Sequence, residues 1–96
     1  MGDQVFSIAA FYKFTKISLL SELQTEFYEF LESLSIKGTI LVGEEGLNGT
    51  ISATSEKKLS KAIKYLRSID GFDALDVKYS LSEKNPFVRM KVKLKK

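Results

Sequence analysis

Six cations close this sequence: Lys84, Arg89, Lys91, Lys93, Lys95 and Lys96 follow one another without a single acid. The 83 residues before them hold nine Lys or Arg against all twelve Asp and Glu, so the net charge of +3 divides into −3 and +6. Such a segment offers fixed positive charge and N–H donors. That chemistry binds phosphates or acidic surfaces and makes no bonds; charge alone is equally consistent with a solubilising strand face. A second group is Glu44-Glu45-Gly46-Leu47-Asn48-Gly49, two adjacent carboxylates and an amide in a Gly-rich stretch. It lacks a third convergent ligand for a metal, and it reads better as a solvated turn. Tyr12 and Lys13, late in the first apolar segment, read as one core aromatic and one exposed lysine. The chain has no Cys and no His, which removes thiolate nucleophiles, the commonest zinc ligands and the usual proton shuttle. No catalytic residue, metal site or cofactor is therefore expected in this chain, and any chemistry it serves belongs elsewhere.

The elements that must position these residues follow from periodicity. Val5 to Phe14 is rich in β-formers on both parities, predicting a central strand covered at least partly on both faces. Leu20, Leu23, Phe27, Phe30, Leu31 and Leu34 recur at helical spacing, with Ser18 or Ser21 as candidate caps and Gly38 as the stop. Thr39 to Gly43 and Thr50 to Thr54 read as two strands of a hairpin, with Glu45, Gly46, Asn48 and Gly49 in the turn and Asn48-Gly49 as its tight-turn pair. Thr54 or Ser55 then caps a second helix built on Leu59, Ala62, Ile63, Leu66 and Ile69, its outer face carrying Lys57, Lys61 and Lys64, with Asp70-Gly71 ending it. Asp76 to Ser82 alternates with Val77, Tyr79 and Leu81 on one side. After a turn at Glu83-Lys84-Asn85-Pro86, the last strand puts Val88, Met90, Val92 and Leu94 inward and Arg89, Lys91, Lys93 and Lys95 outward.

At 96 residues, 44% hydrophobic and 28% charged, the chain is one globular domain. The order β-α-β-β-α-β predicts an α+β, ferredoxin-like or acylphosphatase-like antiparallel sheet with both helices on one face, plus an extra strand at the end. This fold hosts several activities, so the site has to decide. Acylphosphatase chemistry needs a phosphate-cradling loop after the first strand, but Thr15-Lys16-Ile17-Ser18 has neither Gly nor Arg. An RNA-recognition sheet of the RRM type needs aromatics on its third strand, and Thr50 to Thr54 has none. No apolar run approaches the roughly 18 residues of a membrane span, and no basic stretch followed by an apolar segment opens the chain. A cytoplasmic, non-membrane protein is the expectation. Alternation that runs on to Lys96 further suggests the amino-terminal piece of a longer protein.

Three stretches, Phe11-Tyr12-Lys13-Phe14, Lys37-Gly38-Thr39-Ile40-Leu41 leading to Glu45-Gly46-Leu47-Asn48-Gly49-Thr50-Ile51, and Pro86 through Lys96, resemble the amino-terminal domain of the rhodanese-containing tRNA uridine hydroxylases. The resemblance spans nearly the whole chain. It implies an oxidoreductase that hydroxylates the wobble uridine of tRNA with molecular oxygen, its catalytic Cys carried by a downstream rhodanese-like domain. No residue here inherits that activity, so this piece alone is expected to be inactive. The resemblance implies an accessory role, with tRNA contact through Arg89, Lys91, Lys93, Lys95 and Lys96 and with the rhodanese-like domain of the same chain as the other partner. The alternative is a module that docks on that domain and never touches RNA.

Overall fold

The computed structural model describes residues 5–69 and 71–95, and within them seven elements follow in the expected order. These are β1 (Phe6–Phe14), α1 (Leu20–Ser33), β2 (Lys37–Gly43), β3 (Gly46–Ala53), α2 (Glu56–Ser68), β4 (Asp76–Ser82) and β5 (Met90–Leu94). One sheet forms in the order β4-β1-β3-β2-β5. β1 to β4 pair antiparallel as a ferredoxin-like α+β domain requires, while β5 runs parallel to β2 and makes the sheet mixed.

Period-two alternation divides the strands into a helix-covered face and an open one. Ala9, Ile51, Ile40, Val42, Met90 and Val92 point under the helices and are buried. α1 adds Phe27 and Leu31, α2 adds Leu59, Ala62, Ile63 and Leu66, and Phe72 and Leu75 close the core after α2. Each of the larger of these side chains contributes about 1.5–3 kcal/mol by leaving water. Both parities of β1 were expected to be covered at least in part. Its second parity lies on the open face, where Phe6 and Ile8 are half-buried but Ala10, Tyr12 and Phe14 are exposed, because both helices lie on the other side.

Local chemistry explains the ends of the elements. Ser55 caps α2, its Oγ accepting from Lys58 N at 3.2 Å. Neither Ser18 nor Ser21 caps α1; Leu19 occupies that position in left-handed backbone, φ 56°, with no side-chain cap bond. α1 stops through Ser35, also left-handed at φ 57°, and Gly38 already belongs to β2. α2 ends at Ser68; Asp70, expected at its stop, lies outside the described residues. Val88 is not a core residue: it is 88% exposed and precedes β5.

The hairpin turn also differs from expectation. Gly43 pairs with Gly46, so Glu44-Glu45 is the two-residue turn and Asn48-Gly49 sits inside β3. Gly46 takes φ 153°, and a Cβ there would lie 2.2 Å from the Lys13 carbonyl oxygen. Gly49 has no left-handed backbone. It is needed because the neighbouring strand leaves no room, a Cβ meeting Thr39 O at 2.6 Å. An Asn-Gly pair signals a turn only when the flanking pairing permits it. Here the β1–β3 ladder continues through Leu47 to Gly46 and absorbs it.

Between the helices, Tyr65 stacks on Phe30 with ring centroids 4.0 Å apart. Its hydroxyl is buried with no hydrogen bond of acceptable geometry. Burial first, and the nearby Glu26 charge second, push its pKa from 10 up to about 12. The folded chain holds this phenol proton more tightly than the unfolded one. The associated stability is intact below pH 10 and is lost as pH rises through about 12.

Two outcomes follow from this packing. Gly49→Ala is expected to cost nearly as much as Gly49→Val in urea melts, about 1–3 kcal/mol, because the Cβ itself collides, while Glu44→Gln on the exposed turn stays within about 0.5 kcal/mol. Alkaline absorbance titration should show one phenol ionising near pH 12, a phase that Tyr65→Phe removes.

Candidate nucleic-acid interface

β4 and β5 occupy opposite edges of the sheet, four strand spacings or about 19 Å apart. The residues that join them, Glu83 to Arg89, carry the chain from Ser82 to Met90 in eight residue steps, about 26–29 Å when extended. With the helices filling one face, this connection crosses the other as a bent strap and does not fold β5 back beside β4. Asn85 pins it: its Oδ1 accepts from Ser52 Oγ at 2.7 Å and from Phe87 N at 3.1 Å. Ser52 lies on the open face yet is only 1% exposed, because the strap covers it.

The strap delivers β5 so that Lys91 lies beside Thr39 and Lys93 beside Leu41 on the open face. Lys95 follows, its N–H donating to Val42 O at 2.7 Å. The far end of α1 steadies this edge, Gln24 Nε2 donating to Val92 O at 2.8 Å. Arg89 is exposed at the end of the strap, and Lys96 lies outside the described residues. Lys78 on β4 and Lys37 on β2 share the same face by register, and Asp76 on β4 adds an acidic side chain to it.

Between the lysines of β4 and β5 the sheet is concave. A hollow of about 730 Å³ has Ala10, Thr39, Asn48 and Thr50 on its floor and Tyr12 and Phe87 among its walls. Tyr12 is 49% exposed, and its ring meets that of Phe14, itself 79% exposed, edge to face at 5.9 Å. The expected assignments of Tyr12 and Lys13 are thus reversed: Tyr12 is the exposed one, and Lys13 pairs with Leu47 on the helix side and is half-buried.

The amides of Thr15 and Ile17, which a phosphate cradle after β1 would need, donate instead to the carbonyls of Glu45 and Glu44 at 3.1 and 3.0 Å. Glu44 and Glu45 expose their side chains, and among the described residues no three acidic groups converge as metal ligands. No helix among them is long and apolar enough to cross a membrane.

Residues 6–96 match the UPF0176 acylphosphatase-like domain. The chain belongs to that family. A tRNA uridine(34) hydroxylase of Teredinibacter turnerae is 40% identical over 91 residues, 95% of this chain and 28% of its own length. The enzyme of the same name from Mesorhizobium japonicum is 39% identical over 94 residues, 98% of this chain and 30% of its own length. This chain thus spans about three-tenths of these curated relatives. Among solved structures, the Klebsiella pneumoniae BlrP1 calcium/cyclic-diGMP complex superimposes with TM-score 0.74 at 12% identity, over 94% of this chain and 24% of its own. Full-length HypF in its phosphate- and nucleotide-bound form gives 0.63 at 13%, over 98% of this chain and 13% of its own. At such identities the likeness is one of fold alone.

In this UPF0176 domain the alternation of the last strand places Lys91 and Lys93 outward, as the structure has them, whereas the exposure of Tyr12 and Phe14 on the same face was not expected. The available signal was parity. Tyr12 and Phe14 share alternation with Ala10, and a strand's two faces cannot both be core when both helices lie on one side. Asn85→Ala is expected to destabilise the domain by about 1–3 kcal/mol in urea, since it leaves Ser52 buried without its best partner.

Proposed function

We propose that this domain is the tRNA-contacting, amino-terminal part of a tRNA wobble-uridine hydroxylase, with the oxygen-dependent chemistry carried out by a rhodanese-like domain of the same cytoplasmic protein. The observation that carries the reading is the column Lys91, Lys93 and Lys95, held on the open face of a sheet whose family relatives are tRNA uridine(34) hydroxylases. The domain's own contribution is binding: its lysines neutralise phosphates, and the rigid sheet fixes their spacing. Side chains two apart on one strand face are about 6–7 Å from each other, so successive cations act along one edge without rearrangement. With neither Cys nor His, the domain supplies no thiolate nucleophile and no imidazole base.

A second reading, docking on the rest of the enzyme, is favoured by a different surface. Tyr79 and Leu81 of β4 lie on the helix side of the sheet yet are 60% and 66% exposed, because the helices stop short of that edge. The two readings use separate surfaces and are compatible.

Titration with undermodified tRNA across a salt series tests the first. If three phosphates are neutralised, log affinity should fall against log salt with a slope of about −2. Lys91→Ala/Lys93→Ala should weaken binding and bring the slope closer to zero by about one. Salt-independent binding, or an unaffected double variant with its fold intact, would return the strand to solvent. Nucleoside analysis of tRNA incubated with this chain in air should show no hydroxyuridine.

A further inference from the structure

We infer that the hollow on the open face is a stacking site for unpaired RNA bases, so that the domain reads single-stranded loop nucleotides in preference to helical stems. The inference deepens the reading above and rests on it, adding a set of residues with a different chemistry. Tyr12 stands on β1 between β3 and β4, and Phe14 follows it on the same strand paired to β3, so both rings are presented from strand backbone. A lone exposed aromatic is ordinary. Two adjacent rings in mutual contact, beside a hollow that a third aromatic, Phe87, helps wall, form a surface with π-faces open to solvent.

The surroundings choose the occupant. Asn48, Thr39 and Thr50 put amide and hydroxyl groups on the floor, where a base edge can exchange its water hydrogen bonds for new ones. Lys78 flanks the rings on one side, and the lysines of β5 flank the hollow on the other, three strand spacings or about 14 Å from β1. A short single strand crossing the sheet can set a base against Tyr12 and its neighbouring phosphates against Lys91 and Lys93. A duplex keeps its bases inside and meets only the lysines. Protein partners fit less well, because the buried centre of a protein interface is depleted in lysine, whereas Lys78 lines this hollow beside Asp76 and Lys91, Lys93 and Lys95 follow along the same face. The exposed Glu44 and Glu45 close the Phe14 end and repel phosphate there, which directs the backbone toward β5.

The test compares a labelled single-stranded RNA octamer of mixed sequence with the same octamer annealed to its complement, by anisotropy at several salt concentrations. Single strand should bind at least about ten-fold tighter than duplex. Tyr12→Leu/Phe14→Leu keeps apolar bulk but removes both rings, and circular dichroism should show an intact fold because both side chains are exposed. It should weaken single-strand binding about ten-fold or more while leaving the salt slope and duplex binding unchanged. Lys91→Ala/Lys93→Ala should do the reverse, bringing the slope nearer zero for both RNAs. Equal affinity for the two RNAs, or single-strand binding indifferent to loss of the rings, would overturn the stacking site and leave the face to a protein partner. If the lysine pair still mattered in that case, the tRNA-contact reading would stand; if neither pair mattered, both would fall.

Discussion

The position of β5 governs the organisation of the open face. Pairing β5 parallel to β2 puts it at the sheet edge opposite β4, so the residues between them must cross the whole sheet. The helix side is filled, so the crossing must use the open face. From that one constraint come a covered Ser52, an Asn85 anchored by two hydrogen bonds, a Phe87 laid against the hollow, and a column of lysines facing the same way. A local β4–β5 hairpin would have left those lysines at the other edge, beside β4.

Close strand approach is the second condition. Gly46 and Gly49 let β3 lie against β1 and β2 where a Cβ would strike a carbonyl oxygen. The turn between β2 and β3 is further tied to the segment after β1 by its own carbonyls. Those same bonds consume the amides that an anion cradle would need. A fold shared with acylphosphatase-like domains therefore has no free amides at that place, and its exposed cations stand on the far strand as side chains. The family and the architecture are held in common, and the surface chemistry differs with the residues each member presents.

The two helices support this surface indirectly. Stacked Phe30 and Tyr65, with Phe27 and Phe72 beneath, hold α1 and α2 together. Gln24 then links α1 to the outermost strand. That bond ties the edge strand to the helix layer, so the backbone that carries Lys91 and Lys93 is held from both sides.

The sequence alone determined the order of elements, the core stripes of both helices, the outward placement of Lys91 and Lys93, and the absence of Cys and His chemistry. All of these depend on local periodicity or composition, which need no partner to be read. Tertiary structure alone decided that Asn48-Gly49 is strand and not turn, that Val88 leaves the core, that Tyr12 and Phe14 face solvent, and that Glu83 to Arg89 spans the sheet. Each depends on pairing between segments distant in sequence. Propensity at Asn-Gly yields to a ladder that continues past it, and a strand with two apolar parities cannot reveal which face the helices will choose. Alternation identifies two faces; only the packed sheet assigns one to the core and the other to water.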